Sequence, residues 1–493
     1  MAPLTVFLVW IYLFSAGALA LYAAGTLVLL GLWLRYRNQG TPAPPVGDHD
    51  WPLVTVQLPV YNERTVVGRL IDAVAALDYP RDRLRVQVLD DSTDDTSALI
   101  ARRVARYARD GLGIAHLRRG SRAGYKAGAL ADGLAQTSDG LIAVFDADFV
   151  PAPDFLRLVV PHFLADARLG MVQARWAHLN PDESLLTRGQ ALSLDGHFVV
   201  EQTARSRSGL LINFSGSGGV WRAGCIRDAG GWSDATLTED LDLSYRAQLS
   251  GWRCLYLPEV VVPGEIPPQL AAYKRQQARW AKGSTQSLLR LGGRLWRSER
   301  LTFWQKLMGT LHLCQYLVHP LMLLLLVLTP PLLWQGALAD LPLAPLGVLS
   351  IGPPLLYLAS QRQLYADWPQ RMLAFPILLT IGTGMALNNT LAVMEALRGS
   401  PNVFRRTPKF RSRAWQQSRY ALGADWTPAG EALLALYAVM GGLLALQRAP
   451  SLAPFLFIYA WAFGVVALWG VAEGLQVQFR RRQRSAARRW FSI

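Results

Sequence analysis

Long apolar segments enclose a central region of mixed pattern in this chain. Residues 1–34 carry no charged side chain, and further apolar segments lie at 309–334, 343–360, 372–396, 430–447 and 453–476. About 20 consecutive apolar residues in a helix cross the ~30 Å hydrocarbon core of a bilayer. The pattern therefore predicts transmembrane helices at both ends of the chain and a soluble domain between them.

The central region alternates short apolar runs with segments of helical spacing. Residues 54–60, 86–89 and 141–145 have the composition of buried strands, whereas 66–77 and 94–109 place apolar residues on one helix face. Alternation of strands and helices predicts an α/β domain with a mostly parallel, Rossmann-like sheet.

Acidic residues follow the predicted strands. Asp90 and Asp91 end the second strand, and Asp146 and Asp148 follow the third. Because ligands of such sheets bind in the crevice beyond the carboxyl ends of the strands, these acids should converge on one ligand. Carboxylates are preferred ligands of Mg²⁺ and Mn²⁺. We therefore expect Asp146 and Asp148 to hold Mg²⁺ (or Mn²⁺) beside a phosphorylated ligand.

Charge and cysteine usage narrow the class of protein. The 493 residues carry a formal net charge of +15, much of it in basic blocks beside apolar segments, at 397–420 and in the tail 479–493. Such blocks indicate membrane topology and contact with anionic lipids, so we expect a lipid bilayer as partner and no nucleic acid. The widely spaced Cys225, Cys254 and Cys314 predict reduced thiols.

The basic residues also predict the topology. Arg35 and Arg37 follow the first apolar segment, which places the N-terminus outside and the central domain in the cytoplasm. Both basic blocks are cytoplasmic only if 372–396 is an in-plane or re-entrant segment. We therefore predict an integral, multi-pass protein of the plasma or inner membrane with five spans, and a six-span alternative stays open.

Four motifs occur in a characteristic order ahead of the apolar segments. They are Asp90-Asp91, Asp146-Ala147-Asp148, Thr238-Glu239-Asp240 and Gln276-Gln277-Ala278-Arg279-Trp280. This series resembles the D, DxD, TED and QxxRW motifs of processive family 2 glycosyltransferases, the group of cellulose, chitin and hyaluronan synthases. The resemblance covers roughly 50–425 and is greatest to the plant cellulose-synthase-like mannan and glucan synthases. It implies a cytoplasmic GT-A-type domain embedded in an α-helical transmembrane region.

The resemblance assigns a set of residues to a nucleotide-sugar donor, either UDP-glucose or GDP-mannose. It implies that Asp90 and Asp91 bind the nucleoside, with Glu63 near the base. Phe404-Arg405-Arg406-Thr407-Pro408-Lys409 resembles a gating loop that closes over the donor, with Arg406 in place of the family's valine. The remaining implied donor contacts are Lys126, Asp146, Gln276, Arg279, Thr407 and Lys409.

The acceptor of a growing glycan presents a hydroxyl that needs a general base. The resemblance implies that Asp240 is this base, with Glu239 beside it, and that inversion gives a β-linkage. Trp280 is expected to stack on the acceptor sugar, although a tryptophan at a membrane interface is common without a ligand. Thr238 and Ser217 complete the expected acceptor site. His197 is interpreted as a packed core residue.

These predictions divide the chain into nine parts. The predicted parts are an N-terminal transmembrane helix 1–35, a linker 36–52, the glycosyltransferase domain 53–265, amphipathic interface helices 266–308, two transmembrane helices in 309–360, an interface or re-entrant segment 361–397, a gating-type loop 398–425, two transmembrane helices in 426–478 and a basic tail 479–493.

The predicted activity is processive polymerisation of a β-linked glucan or mannan and its translocation across the membrane. Two alternatives stay open: transfer of one sugar to a membrane lipid such as diacylglycerol or ceramide, and a transporter with a non-catalytic domain. The donor sugar and the linkage position are not determined by these motifs.

Overall fold

The computed structural model describes residues 3–47, 50–338, 341, 344–410, 415–423 and 425–490. Arg411 and Arg413 of the predicted basic block lie outside the described residues, as do 48–49 of the linker and the last three residues of the tail.

Within this part of the chain, seven strands form one mixed sheet in the order β3-β2-β1-β4-β6-β5-β7. The strands are β1 Val54–Val60, β2 Leu84–Asp90, β3 Gly113–Arg118, β4 Leu141–Val144, β5 Leu169–His178, β6 Gly219–Arg222 and β7 Arg253–Gly264. β1 pairs in parallel with β2 and with β4, whereas β6 runs antiparallel to its neighbours.

The parallel register brings the two acidic motifs to one edge. Val60 of β1 is opposite Asp90 of β2, and Gln57 is opposite Val144 at the end of β4. The turns after β1, β2 and β4 therefore leave the sheet side by side, which confirms the predicted fold class.

Helices cover both faces of the sheet and bury apolar side chains against it. Leu70 and Ile71 on one face and Leu130 and Leu243 on the other are fully buried. The helices of the domain are α2 Val67–Ala75, α3 Thr96–Arg109, α4 Tyr125–Ala135, α5 Phe155–Ala165, α6 Leu185–Asp195, α7 Thr203–Arg207, α8 Ala223–Asp228 and α9 Glu239–Leu249. A π-helix, Gly196–Gln202, joins α6 to α7.

The remaining helices form the apolar part of the protein and its junction with the domain. They are α1 Pro3–Tyr36, α10 Leu270–Arg297, α11 Phe303–Leu313, α12 Val318–Trp334, α13 Ala344–Leu349, α14 Gly352–Leu364, α15 Trp368–Arg371, α16 Phe375–Gly384, α17 Ala386–Leu397, α18 Thr427–Arg448 and α19 Ala453–Trp490. Short 3₁₀ turns lie at Gln315–Leu317, Met372–Ala374, Trp415–Gln417 and Pro450–Leu452.

Among the described residues, four helices are long and apolar enough to cross a membrane. They are Pro3–Tyr36, Gln315–Trp334, Thr427–Arg448 and Pro450–Gln483. A bent pair, Trp368–Gly384 with Ala386–Leu397, turns by 43° and is either a broken span or a re-entrant segment.

The segment predicted as a span over 343–360 is divided between α13 and α14, with prolines in the first turn of α14. Proline lacks a backbone N–H and disrupts a continuing helix, which accounts for the break. The number of spans, the topology and the domain boundaries stay predictions.

Candidate active site

Most of the predicted site residues surround an open cavity at the carboxyl ends of β1, β2 and β4. α10 and the segment 404–409 form other parts of its wall. We call it the first cavity. The predicted residues that line it are Glu63, Asp91, Lys126, Asp146, Asp148, Thr238, Glu239, Asp240, Gln276, Arg279, Trp280, Thr407 and Lys409.

A buried lysine joins two of the acidic motifs. Lys126 Nζ lies 2.6 Å from Asp146 Oδ1 and 3.6 Å from Glu239 Oε1, and it donates a hydrogen bond of 2.9 Å to the carbonyl of Gly216. Burial lowers the pKa of Lys126, but the charges of Asp146, Glu239 and Asp240 raise it by more than burial lowers it. The pKa of Lys126 therefore lies above its ordinary value. A positive charge is therefore fixed between the DxD and TED motifs.

A second lysine attaches the segment 404–409 to the cavity. Lys409 Nζ lies 2.7 Å from Asp148 Oδ2 and also donates to the carbonyl of Glu265. The amide of Phe410 donates to Glu265 Oε1 at 2.7 Å, and Thr65 Oγ1 donates to the carbonyl of Lys409 at 2.9 Å. These contacts hold the segment against the carboxyl end of the sheet.

The carboxylates at this edge of the sheet suit a divalent cation that also binds the phosphates of a ligand. No cluster of three or more His, Cys, Asp or Glu side chains suited to a metal occurs in the described part of the chain. Asp146 and Asp148 nevertheless face the same cavity. Mg²⁺ typically takes one or two carboxylates and completes its shell with substrate phosphates and water. Two carboxylates therefore suffice if the ligand carries a diphosphate.

Asp240 has the properties of a general base. Burial and the neighbouring charge of Glu239 raise the pKa of Asp240 to about 7, against the opposing charge of Lys126. The amide of Leu241 donates to Asp240 Oδ1 at 2.8 Å. Gly216 has φ +85°, and a Cβ there would lie 2.6 Å from Asp240 Oδ2. Gly216 thus leaves space for the carboxylate of Asp240.

Two ion pairs flank the cavity at the ends of β1 and β2. Arg119 forms a double contact with Asp91, at 2.9 and 2.5 Å. Arg406 forms another with Glu63, at 2.8 and 3.1 Å. Burial raises the pKa of Glu63 to about 7, although Arg406 opposes the rise. Arg406 therefore links the segment 404–409 to the turn Tyr61-Asn62-Glu63 that follows β1.

The structure keeps two predicted site residues away from the cavity. Asp90 is buried and accepts hydrogen bonds from the amide of Ser92 at 2.8 Å and from Ser97 Oγ at 2.5 Å, while His116 Nε2 lies 2.8 Å away. Burial raises the pKa of Asp90, but these hydrogen bonds outweigh it and lower the pKa to about 2. Asp90 therefore fixes the turn after β2, and the cavity receives Asp91 instead.

The other is Ser217, predicted as an acceptor contact. Its side chain is fully buried, and its Oγ accepts a hydrogen bond of 3.0 Å from the amide of Asp146. Its carbonyl accepts another of 2.9 Å from Trp176 Nε1. Ser217 positions the DxD backbone and does not line either cavity within the described chain.

Two hydroxyl groups of the wall have no partner in the described part of the protein. Thr407 Oγ1 and Thr238 Oγ1 are buried without a hydrogen bond. Leaving such a group unpaired costs roughly 1–3 kcal/mol. Both residues line the first cavity, so a ligand there can supply the missing partners.

α10 presents Gln276, Arg279 and Trp280 to the cavity. The guanidinium of Arg279 lies 4.6 Å from the ring centroid of Phe404, and that ring stacks on Tyr125 at 5.9 Å. The helix thus contacts the segment 404–409 through an aromatic ring.

α10 is also anchored to the long apolar helices by buried acids. Lys274 Nζ lies 2.6 Å from Glu431 Oε1 of α18, and both side chains are buried. The amide of Leu270 donates to Glu473 Oε1 of α19 at 3.0 Å, which caps the first turn of α10. The orientation of the QxxRW residues therefore depends on the apolar helices.

Sequence reasoning missed four residues that shape the first cavity or its ion pairs. The guanidinium of Arg122 lies 3.5 Å from the ring centroid of Tyr61, and both line the cavity. Arg119 holds Asp91, and Glu265 at the end of β7 receives Lys409 and Phe410. Tyr61 lies two positions from Glu63 in the same turn, which is the signal that could have identified it.

A second cavity continues from the first toward the apolar helices. The two share Trp176, Leu194, Ser215, Thr238, Asp240, Gln276 and Trp280. Its wall then includes Tyr22 of α1, His319 of α12 and Tyr357 of α14. The second cavity thus lies between the candidate base and α1 and α12, which belong to helices apolar enough to cross a membrane.

The position of His197 differs from the predicted one. Its side chain was expected in the packed core, but about 25% of it is exposed and it lines the second cavity. The reason is the π-helix Gly196–Gln202, whose position in the wall the sequence pattern does not indicate.

Comparison with known proteins agrees with the motifs. Residues 52–283 match the family described as "Glycosyltransferase like family 2". Glucomannan 4-beta-mannosyltransferase 1 of Oryza sativa subsp. japonica is 42% identical over 279 residues, 55% of this chain and 54% of that protein. Glucomannan 4-beta-mannosyltransferase 2 of Arabidopsis thaliana is 42% identical over 265 residues, 53% of this chain and 50% of that protein. The chain thus spans about half the length of the curated relatives it matches.

A solved structure shares the fold. It is the mannosyltransferase PcManGT from Pyrobaculum calidifontis in complex with GDP-Man and Mn2+, with a TM-score of 0.53 and 23% identity. The match covers 79% of this chain and 100% of that one.

Proposed function

We propose that the protein transfers a sugar from a nucleotide-sugar donor to a hydroxyl of a growing β-linked polysaccharide, since residues 52–283 match the family described as "Glycosyltransferase like family 2". The observation that carries this proposal is the shared wall of the two cavities. Asp240 and Trp280 stand where the first cavity, with its acids and lysines, opens into the second.

GDP-mannose is our first candidate donor, since the similar plant proteins are glucomannan 4-beta-mannosyltransferases. The solved mannosyltransferase was also obtained with GDP-Man. UDP-glucose remains the second candidate donor, because the motif residues themselves do not discriminate between the two.

Cationic side chains in the first cavity suit a reaction in which a nucleoside diphosphate departs. Lys126 and Arg279 line the first cavity on the side of the TED and QxxRW motifs, and either cation can stabilise negative charge that develops on the leaving group. The unpaired hydroxyls of Thr238 and Thr407 offer further hydrogen bonds. Asp146 and Asp148 would hold a divalent cation, which neutralises the diphosphate when bound.

Asp240 would accept the proton of the attacking hydroxyl. A base whose pKa lies near the working pH combines a deprotonated ground state with a useful proton affinity, and the pKa of Asp240 is raised to about 7. Attack from the acceptor side and departure of the diphosphate from the other side constitute one displacement, which inverts the anomeric carbon to the β-configuration.

The second cavity supports retention of the product. An acceptor with its terminal sugar on Trp280 would extend past Tyr22 and Tyr357 into the space between the apolar helices. Such a path suits a chain that is elongated repeatedly and moved across a membrane. Transfer of one sugar to a membrane lipid is the alternative, and it does not require a path of this kind.

Incorporation of label tests the proposal. Membranes containing the protein are incubated with GDP-[¹⁴C]mannose or UDP-[¹⁴C]glucose and Mg²⁺ or Mn²⁺, and the product is digested with an endo-β-1,4-mannanase or an endo-β-1,4-glucanase. We expect label from GDP-mannose in a mannanase-sensitive product, and Asp240→Asn as the inactive control. Transfer by Asp240→Asn at the wild-type rate would contradict the assignment of the base.

A further inference from the structure

A histidine–glutamate pair lies in the wall of the second cavity, outside the four motifs. His197 Nδ1 is 2.8 Å from Glu201 Oε2. Both side chains line the cavity, with about 25% and 22% of their surfaces exposed. The pair is therefore accessible from the path that leads away from Asp240 and Trp280.

The local backbone places the two side chains on one side of the helix. Residues Gly196–Gln202 form a π-helix between α6 and α7. π-Helical turns are rare and frequently occur at functional sites. Val199 and Val200 of the same turn are buried against Leu29, Trp33 and other apolar residues. The π-helix thus presents its polar pair to the cavity and its apolar pair to α1.

The surroundings of the pair are polar and rich in hydroxyl and amide groups. Asn213, Ser193, Tyr22, Tyr273 and Tyr357 line the same cavity. Side chains of this kind recognise sugar hydroxyls, since each can donate or accept hydrogen bonds. Rings of tyrosine also offer flat apolar surfaces to a pyranose ring.

The hydrogen bond with Glu201 determines what His197 can do. A carboxylate accepts only, so Nδ1 must carry the proton of the bond. The bond fixes the orientation of the ring and leaves Nε2 for a second partner, as an acceptor when the ring is neutral and as a donor when it is protonated. Burial raises the pKa of Glu201, but the hydrogen bond and the charge of His197 outweigh it and the pKa is lowered, so Glu201 stays ionised.

We propose that His197, oriented by Glu201, forms an acceptor subsite that binds a hydroxyl of a sugar unit behind the terminal one. The subsite rests on the proposed function, since it needs a glycan in the second cavity. In it, Nε2 of His197 forms a hydrogen bond with the sugar hydroxyl, which can serve as donor or acceptor. The pair thereby holds the chain in register between successive transfers. His197 is the binding residue, and Glu201 is a positioning residue.

Acceptor kinetics test the subsite. Purified His197→Ala, His197→Gln and Glu201→Gln are compared with the wild type for KM and kcat on β-1,4-manno-oligosaccharides of increasing length. His197→Ala should raise the KM of the longer acceptors by ~10-fold, as for loss of a buried hydrogen bond, and should leave mannose and the donor KM unchanged. His197→Gln should recover part of the affinity, because its side-chain amide reaches toward the position of Nε2. Glu201→Gln should have an intermediate effect.

Glu259→Gln is the matched control. It removes a carboxylate that pairs with Arg207 at 2.7 Å just beyond the π-helix, and Glu259 lines neither cavity in the described chain. Thermal unfolding of each variant shows whether a loss reflects folding. Equal KM changes for mannose and long acceptors, or no change for any acceptor, would overturn the subsite.

Different experimental results would contradict the subsite and the proposed function. If the wild type hydrolyses the nucleotide sugar but transfers to no oligosaccharide, the proposed acceptor is wrong and the subsite falls with it. If the wild type elongates oligosaccharides and His197→Ala does so with unaltered KM values, only the subsite is wrong.

Discussion

Lys409 Nζ lies 2.7 Å from Asp148 Oδ2, so a cation of the segment 404–409 already neutralises one of the two carboxylates proposed to bind metal. Asp148→Ala should abolish transfer and the metal-dependent part of nucleotide binding, which calorimetry with GDP and Mg²⁺ or Mn²⁺ measures. Asp139→Ala is the control, because the side chain of Asp139 is 92% exposed on the surface. Full transfer by enzyme stripped with EDTA would show that no cation is needed.

Asp240→Asn preserves size and polarity but removes the proton acceptor. Turnover should fall by ~10²-fold or more, because general-base assistance is worth that much. GDP affinity should stay within a factor of about two, since Asp240 is assigned to the acceptor and not to the nucleotide. Calorimetry and steady-state rates separate the two effects, and a parallel loss of GDP binding would reassign Asp240.

We expect the acid limb of the pH–rate profile, which is the decline in kcat/KM at low pH, to reflect protonation of Asp240. Its pKa is raised to about 7 by burial and by Glu239, and a base works only when deprotonated. kcat/KM should therefore decline as the pH drops below about 7. Glu239→Gln removes a negative neighbour and lowers the pKa of Asp240, so the limb should move to lower pH.

Glu63 provides the companion variant, because burial also raises its pKa to about 7. The limb should persist in Glu63→Gln if Asp240 causes it. Disappearance of the limb in Glu63→Gln, or an unmoved limb in Glu239→Gln, would assign the titration to another group.

Gly216→Ala should impair catalysis because it strains the backbone and places a Cβ against Asp240. At φ +85° an L-residue is strained, and the new Cβ would approach Asp240 Oδ2 to 2.6 Å. We expect a loss of at least ~10-fold in kcat, since even a small displacement of a catalytic group is costly. Gly224→Ala is the matched control, because Gly224 lies in α8 and a Cβ added there would meet no atom within 4 Å. Equal activity of the two variants would remove Gly216 from the site.

The sequence predicts the sheet edge well because strand ends and acids coincide. β1, β2 and β4 lie where the apolar runs were, and the parallel register brings Asp91 and Asp146 to one cavity. Spacing could not show that Asp90 turns inward. Successive residues at a strand end point to opposite sides, and the hydrogen bonds of Ser97 and His116 decide which carboxylate is buried.

The sequence pattern could not predict contacts between residues that are far apart in the chain. The pairs Arg406–Glu63 and Lys409–Asp148 join segments far apart in the chain, and no periodicity relates them. His197 was misjudged for a similar reason, since its exposure depends on a π-helix packed against α1. Helical periodicity also missed the break at α14, where prolines interrupt an apolar run.

The size of the wild-type product tests the central claim most directly. Protein reconstituted in liposomes is supplied with GDP-[¹⁴C]mannose, and the product is separated by organic extraction, gel filtration and endo-β-1,4-mannanase digestion. We predict a polymer that stays out of the organic phase and is degraded by the mannanase. A product that carries a single sugar, extracts into organic solvent and resists the mannanase would contradict processive polymerisation.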